Sequence, residues 1–285
     1  VSTTLLKPAA APTTAPRRIT ATKTPNTLAV YASHLLGRYR RAGLFWAIGF
    51  SLYTALLVLS FPAFQNSGAL DVSTYPESLR EAFNLESLNL IEPYLSPQVF
   101  QLAPLVLAFY PITVFAGAIA GAEERGTLDV LLGNPLPRRN VVLGTWIAVA
   151  VVLLAMLAIL GAATWAAALA VDVSLSAREA FRASLNLFPI CMAFGSLALV
   201  ISARVRQRSV AIGAPVVLLF LMYLVDIVGK IVSEVSGLRY ASAFKYYGDA
   251  IVDGVSWSGV AVLLAASLLL LAAAIPAFDR RDIYT

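Results

Sequence analysis

Six apolar runs, separated by more polar stretches, dominate the chain. They are Leu44–Phe64, Val99–Ala122, Asn140–Val171, Ala183–Ala203, 209–229 and Gly254–Phe278. A helix needs about 20 apolar residues to cross about 30 Å of hydrocarbon, and each run suffices for one crossing. Pro104 and Pro111 fall inside the second run and should kink or break it. The third run is about 48 Å long as a helix, too short to cross twice, so it must tilt or project from the bilayer. The fifth continues past Asp226, and Pro215 is expected to kink it.

A different pattern precedes the first run. Leu28, Tyr31, Ala32, Leu35, Leu36 and Tyr39 recur at helical spacing, while Ser33, His34, Arg38, Arg40 and Arg41 fall elsewhere. Residues 27–43 therefore read as a short amphipathic helix in the headgroup layer, with its arginines toward anionic lipid. Residues 1–26 are rich in Ala, Pro and Thr and have no apolar centre, which reads as a disordered basic tail and not as a signal peptide. In the long segment Gln65–Gln98, Thr74 and Glu77 have capping-box spacing, which predicts a short interfacial helix.

Composition agrees with a membrane solvent. Apolar residues make up 59% of the chain and charged residues 13%, and the mean hydropathy is +0.78. The net charge of +5 comes from 21 basic against 16 acidic residues. With the N-terminus inside, 15 of the 21 basic residues fall on inner segments, and 11 of the 16 acids fall on outer ones. The positive-inside bias thus puts both termini in the cytoplasm and makes nucleic acid an unneeded partner. The single cysteine, Cys191, and the single histidine, His34, exclude a disulfide within the chain and a Cys- or His-cluster metal site. They also exclude an intramembrane metalloprotease of the H-E-x-x-H type.

The most informative stretch is Glu123–Arg139, EERGTLDVLLGNPLPRR, between the second and third runs. Glu123 and Glu124 close a helix at its negative end, where acids are disfavoured. Gly126 breaks that helix. Thr127 can cap a new one, with Asp129 in its first turn. Leu128, Val130, Leu131 and Leu132 follow, and Gly133, Asn134, Pro135 and Pro137 end it. Two turns are too few to stand alone in water, so this helix must dock, either beneath its own spans or on a partner. Glu123, Glu124 and Arg125 suit ion pairs to that partner or a local pair that sets the turn.

This segment resembles the E-x-x-G-T-L-x-x-L-L…P-x-x-R signature of ABC-2 type transporter permeases, in which it forms the intracellular coupling region. Three other parts are similar: the amphipathic helix, the stretch LRYASAFKYY from Leu238 (with Ala243 where the family has Pro), and the ending FDRRDI from Phe278. The resemblance implies an all-α integral membrane protein with six transmembrane helices, an N-terminal connecting helix and a cytoplasmic coupling helix. It further implies the permease subunit of an ATP-driven exporter in a bacterial plasma membrane. It pairs with a second permease subunit, as a homodimer or heterodimer, and with two ABC ATPase subunits that carry ATP and magnesium. The permease itself would bind no cofactor and catalyse nothing. No G-x-x-x-x-G-K-[ST] occurs in the chain, so it has no P-loop of its own.

On this reading the ATPase-coupling residues are Glu123, Glu124, Arg125, Gly126, Thr127, Leu128, Asp129, Leu131, Leu132, Pro135 and Arg138. The connecting helix contributes Leu28, Tyr31, Leu35, Arg38 and Arg41. Met222, Tyr223 and Asp226 are candidates for a substrate path, against a plainer role in core packing and, for Asp226, pairing with Lys230 at i+4. Arg204, Arg206 and Arg208 read as anchors to the inner leaflet. Lightly decorated apolar spans suit a hydrophobic or amphipathic cargo. An ion-driven secondary transporter would show ionisable or broken-helix sites near the midplane, and only Asp226 offers one. A non-transporting membrane scaffold is the other alternative.

Overall fold

A computed structural model describes residues 27–67, 76–77, 90–127 and 137–280. Among these, every regular element is helical, and six helical segments are long and apolar enough to cross a membrane. The chain is an all-α integral membrane protein.

Span one is the second half of helix α1, Thr27–Ser67. Its 41 residues extend about 60 Å, twice the hydrocarbon thickness. The expected headgroup helix and the first span are thus one unbroken helix. Nothing at Ala42–Gly43–Leu44 stops it, because a lone glycine without a cap or proline only weakens a helix. The apolar stripe exists, but protein covers it. Ala32 and Leu35 are buried, and Tyr31, Leu36 and Tyr39 pack on the core.

Span two is broken into pieces: α2 (Ile91–Leu95), a π-helical turn (Ser96–Phe100), α3 (Ala103–Leu107), α4 (Phe109–Ala118) and α5 (Ala120–Glu124). Prolines 93, 97, 104 and 111 account for the early breaks by removing donors. The span begins at Ile91, earlier than the uncharged run, because Glu92 and Pro93 enter its first turn. The break at Ile119 has a different remedy. The Ser202 hydroxyl accepts from the Ala120 N–H at 2.9 Å and donates to the Ala116 carbonyl at 3.2 Å. Lipid offers no replacement partner for such groups.

Span three is α6, Arg138–Ala170, about 50 Å long. It runs beside α1, and both start at the same end: a Cβ on Gly144 would strike the Tyr31 ring, and one on Gly43 would strike Val152. Span four is α7 (Ala177–Leu185) continued by α8 (Leu187–Arg204). It starts six residues before the uncharged run, on a capping box between Ser176 and Glu179. Span five is α9, Arg208–Ile231, and span six is α11, Trp257–Asp279. A 3-10 stretch, Ser233–Ala241, and the short α10, Ala243–Tyr247, connect them.

Spans two and four form the centre, and spans one, five and six lie outside. Gly195 of span four touches Pro111 and Phe115 of span two with no room for a side chain. Trp146 donates to Ser196 at 3.0 Å, and Ser196 shares a 2.9 Å hydrogen bond with Ser267, which links spans three, four and six. The outer spans expose Phe45, Ile48, Val217, Phe220 and Leu269, surfaces fit for hydrocarbon.

Candidate functional site

The helix ends at the arginine-rich end of the bundle meet in one junction. Span two finishes there in a Schellman turn. Gly126 N–H donates to Glu123 O at 2.8 Å, Thr127 N–H to Ala122 O at 2.9 Å, and Gly126 has φ of 64°. That left-handed residue is where glycine carries no penalty. The Thr127 hydroxyl donates back to Ala122 O at 3.0 Å. Leu128, Asp129, Leu131, Leu132 and Pro135, the rest of the expected coupling helix, lie outside the described residues.

The two acids before this turn bind the connection between spans four and five. Glu123 pairs with Arg206 at 3.2 Å. Glu124 accepts from the backbone N–H of Arg208, the first residue of α9, at 2.7 Å. Helix α9 has no acid in its own first turn, so Glu124 supplies the negative charge its N-terminus favours. Acids misplaced at the end of one helix thereby cap the start of another. Arg125 donates to Gly117 O at 3.4 Å, folding back along its own span.

Arg138 makes the second tie. It is the first residue of α6. Its guanidinium donates to the carbonyls of Phe278 and Asp279, each at 3.0 Å, and lies 5.5 Å from the Phe278 ring centre. A cation on the last carbonyls of α11 suits the negative end of that helix. Two of the signature-like pieces, the P-x-x-R stretch and the ending at Phe278, are therefore in contact.

The connecting-helix residues adjoin this junction. Leu28 and Tyr31 pack at Gly144 of α6. Tyr31, Leu35 and Arg38 line a cleft of about 540 Å³ shared with Arg125, Thr127 and Arg208. Arg41 is exposed.

The proposed substrate-path residues lie at the opposite end. Asp226 is buried and meets Lys230 Nζ and Arg239 Nε, each at 3.1 Å. The Met222 carbonyl accepts from Ser242 at 2.7 Å, and the Tyr223 ring lies 5.2 Å from that of Phe244. All three hold span five to the 239–244 stretch. Arg239 as the second partner of Asp226 was not anticipated, since i, i+4 spacing points only to Lys230. The Tyr247 hydroxyl extends the tie to span two by donating to Phe100 O at 2.9 Å.

A family profile described as ABC-2 family transporter protein matches residues 36–283. The chain belongs to the ABC-2 transporter family. The match spans the Glu123–Thr127 turn and the connection between spans five and six. Membership makes the chain a membrane transport component that is not itself catalytic, and it implies an ABC ATPase partner in general terms. Comparison with curated proteins found no match.

Sequence reasoning missed Arg206 and Arg208 as partners of the two glutamates and assigned them to the lipid surface. A signal was present. Two adjacent acids at a helix C-terminus need cations, and the R-x-R-x-R stretch at Arg204–Arg208 lies in the next connection on the same side.

Proposed function

We propose that this chain is the permease subunit of an ATP-driven exporter for a hydrophobic or amphipathic small molecule. It works in a bacterial plasma membrane with a second permease subunit and two copies of a separate ATPase, which hold the ATP and magnesium. The arginine-rich end faces the cytoplasm, in keeping with the positive-inside bias. The ATPase docks on the segment that follows Thr127.

One observation carries the mechanism: the Glu124 carboxylate sits on the first N–H of α9. A push on the segment after Glu123–Thr127 moves the acids, and the acids move the Arg206–Arg208 connection and the start of span five. Arg138 passes the same displacement to the end of span six. The packed spans then switch between two arrangements, with the partner biasing the choice.

Vesicle transport tests this. The permease is co-expressed with a candidate ABC ATPase subunit, and uptake of apolar fluorescent probes into inverted vesicles is followed. ATP-dependent uptake that disappears without the ATPase supports the reading. Equal uptake with and without ATP contradicts it. The double variant Leu128→Asp, Leu131→Asp should lose the ATPase on purification while remaining folded.

A further inference from the structure

The cleft between the first turns of α1 and the end of span two has an unusual charge balance. His34, Arg38, Arg125 and Arg208 line it, and no carboxylate does among the described residues. Two of the cations converge. Arg125 Nη1 and Arg208 Nε reach within 3.3 and 3.5 Å of the position a Gly121 Cβ would take. That places them within one Debye length, about 8 Å, of each other. The neighbouring acids are turned elsewhere: Glu123 toward Arg206, and Glu124 toward the backbone of Arg208. Arg208 Nε is sealed from solvent and has no hydrogen-bond partner. Two like charges held this close in a partly buried setting are unfavourable, and an anion in the cleft, reached by the guanidinium groups that line it, offsets that repulsion.

The remaining lining indicates which anion. Leu35, Ala42, Val114 and Ala118 are apolar and share the cleft with the arginines. Phe45, one helical turn beyond Ala42 on the same face of α1, is 78% exposed. Planar guanidinium forks match phosphate oxygens, and the apolar face continuing from them matches acyl chain. We propose that this cleft binds the phosphate headgroup of an anionic phospholipid from the leaflet at the arginine-rich end. The lipid bridges α1 to the start of span five through Arg38, Arg125 and Arg208.

The test uses the full chain in detergent without any ATPase, so its outcome is independent of the transport reading. Native mass spectrometry compares retention of phosphatidylglycerol and phosphatidylcholine, with inorganic phosphate as a competitor. The wild type should retain phosphatidylglycerol preferentially. Arg125→Gln with Arg208→Gln should weaken that retention roughly tenfold or more, as expected for lost charge-assisted hydrogen bonds. Gly121→Leu keeps every charge but displaces Arg208 and should give a similar loss. Arg40→Gln, an exposed arginine on α1 outside this cleft, should lose far less than the double variant. Melting curves check that each variant is folded. Equal retention of the two lipids, or equal losses in Arg40→Gln and the double variant, overturns the proposal. So does a preference for inorganic phosphate without one for phosphatidylglycerol.

Discussion

The two ends of the bundle use charge in opposite ways. At the Asp226 end, one buried carboxylate takes two cations, Lys230 and Arg239, and adjacent side chains close around it. At the arginine-rich end, Glu123 and Glu124 are spent on Arg206 and on capping, while three arginines share a cleft that no carboxylate lines among the described residues. The first arrangement satisfies itself and holds its shape. Among the described residues the second leaves positive charge over, which suits the proposed junction with lipid and ATPase. Stability and coupling are therefore expected to separate along the molecule.

Substitutions sharpen that contrast. Asp226→Ala should have the largest effect on stability, about 3 kcal/mol or more, because it leaves two cations facing each other in a partly buried setting. Thermal unfolding in detergent should show it as the lowest midpoint of the series. Arg138→Ala removes two hydrogen bonds to the end of span six and the contact with Phe278. A loss of about 2 kcal/mol is expected, with exchange of the last α11 amides rising before that of other spans. Glu124→Ala removes the cap on α9 and should cost about 1 kcal/mol, with exchange increasing in Arg208–Ile212. Arg206→Ala should be smallest, under about 1 kcal/mol and weaker still in high salt, because the Arg206 side chain is largely exposed. If Glu124→Ala destabilised the chain more than Asp226→Ala, the contrast between the ends would be reversed.

Much of the fold was legible in the sequence because the bilayer imposes a single rule: long uncharged runs become helices. Where helices carry charge into the bundle, that rule misplaced their ends. Span four extends back to Ala177 through Arg178 and Arg182, and its Ser176–Glu179 capping box was a readable signal beneath those charges. Span two extends back to Ile91 through Glu92 and Pro93. The Leu28–Tyr39 stripe reads from spacing as one apolar face. Spacing alone does not say whether lipid or protein covers such a face, and here α6 and span two do. At the junction, the Gly126 turn was legible from one residue, because a left-handed C-cap is local. The pairing of Glu123 and Glu124 with residues 206 and 208 crosses more than 80 positions, so the sequence signals that the acids need cations but not which connection supplies them.

The central claim is that the Glu123–Glu124 clamp transmits motion to span five. Its most direct test is ATP-driven probe uptake by the Glu123→Ala, Glu124→Ala double variant, assembled with its ATPase in inverted vesicles. The account predicts that the ATPase co-purifies in the usual ratio and still hydrolyses ATP, while uptake per ATP falls at least tenfold. Undiminished uptake per ATP in a complex of normal composition would contradict it.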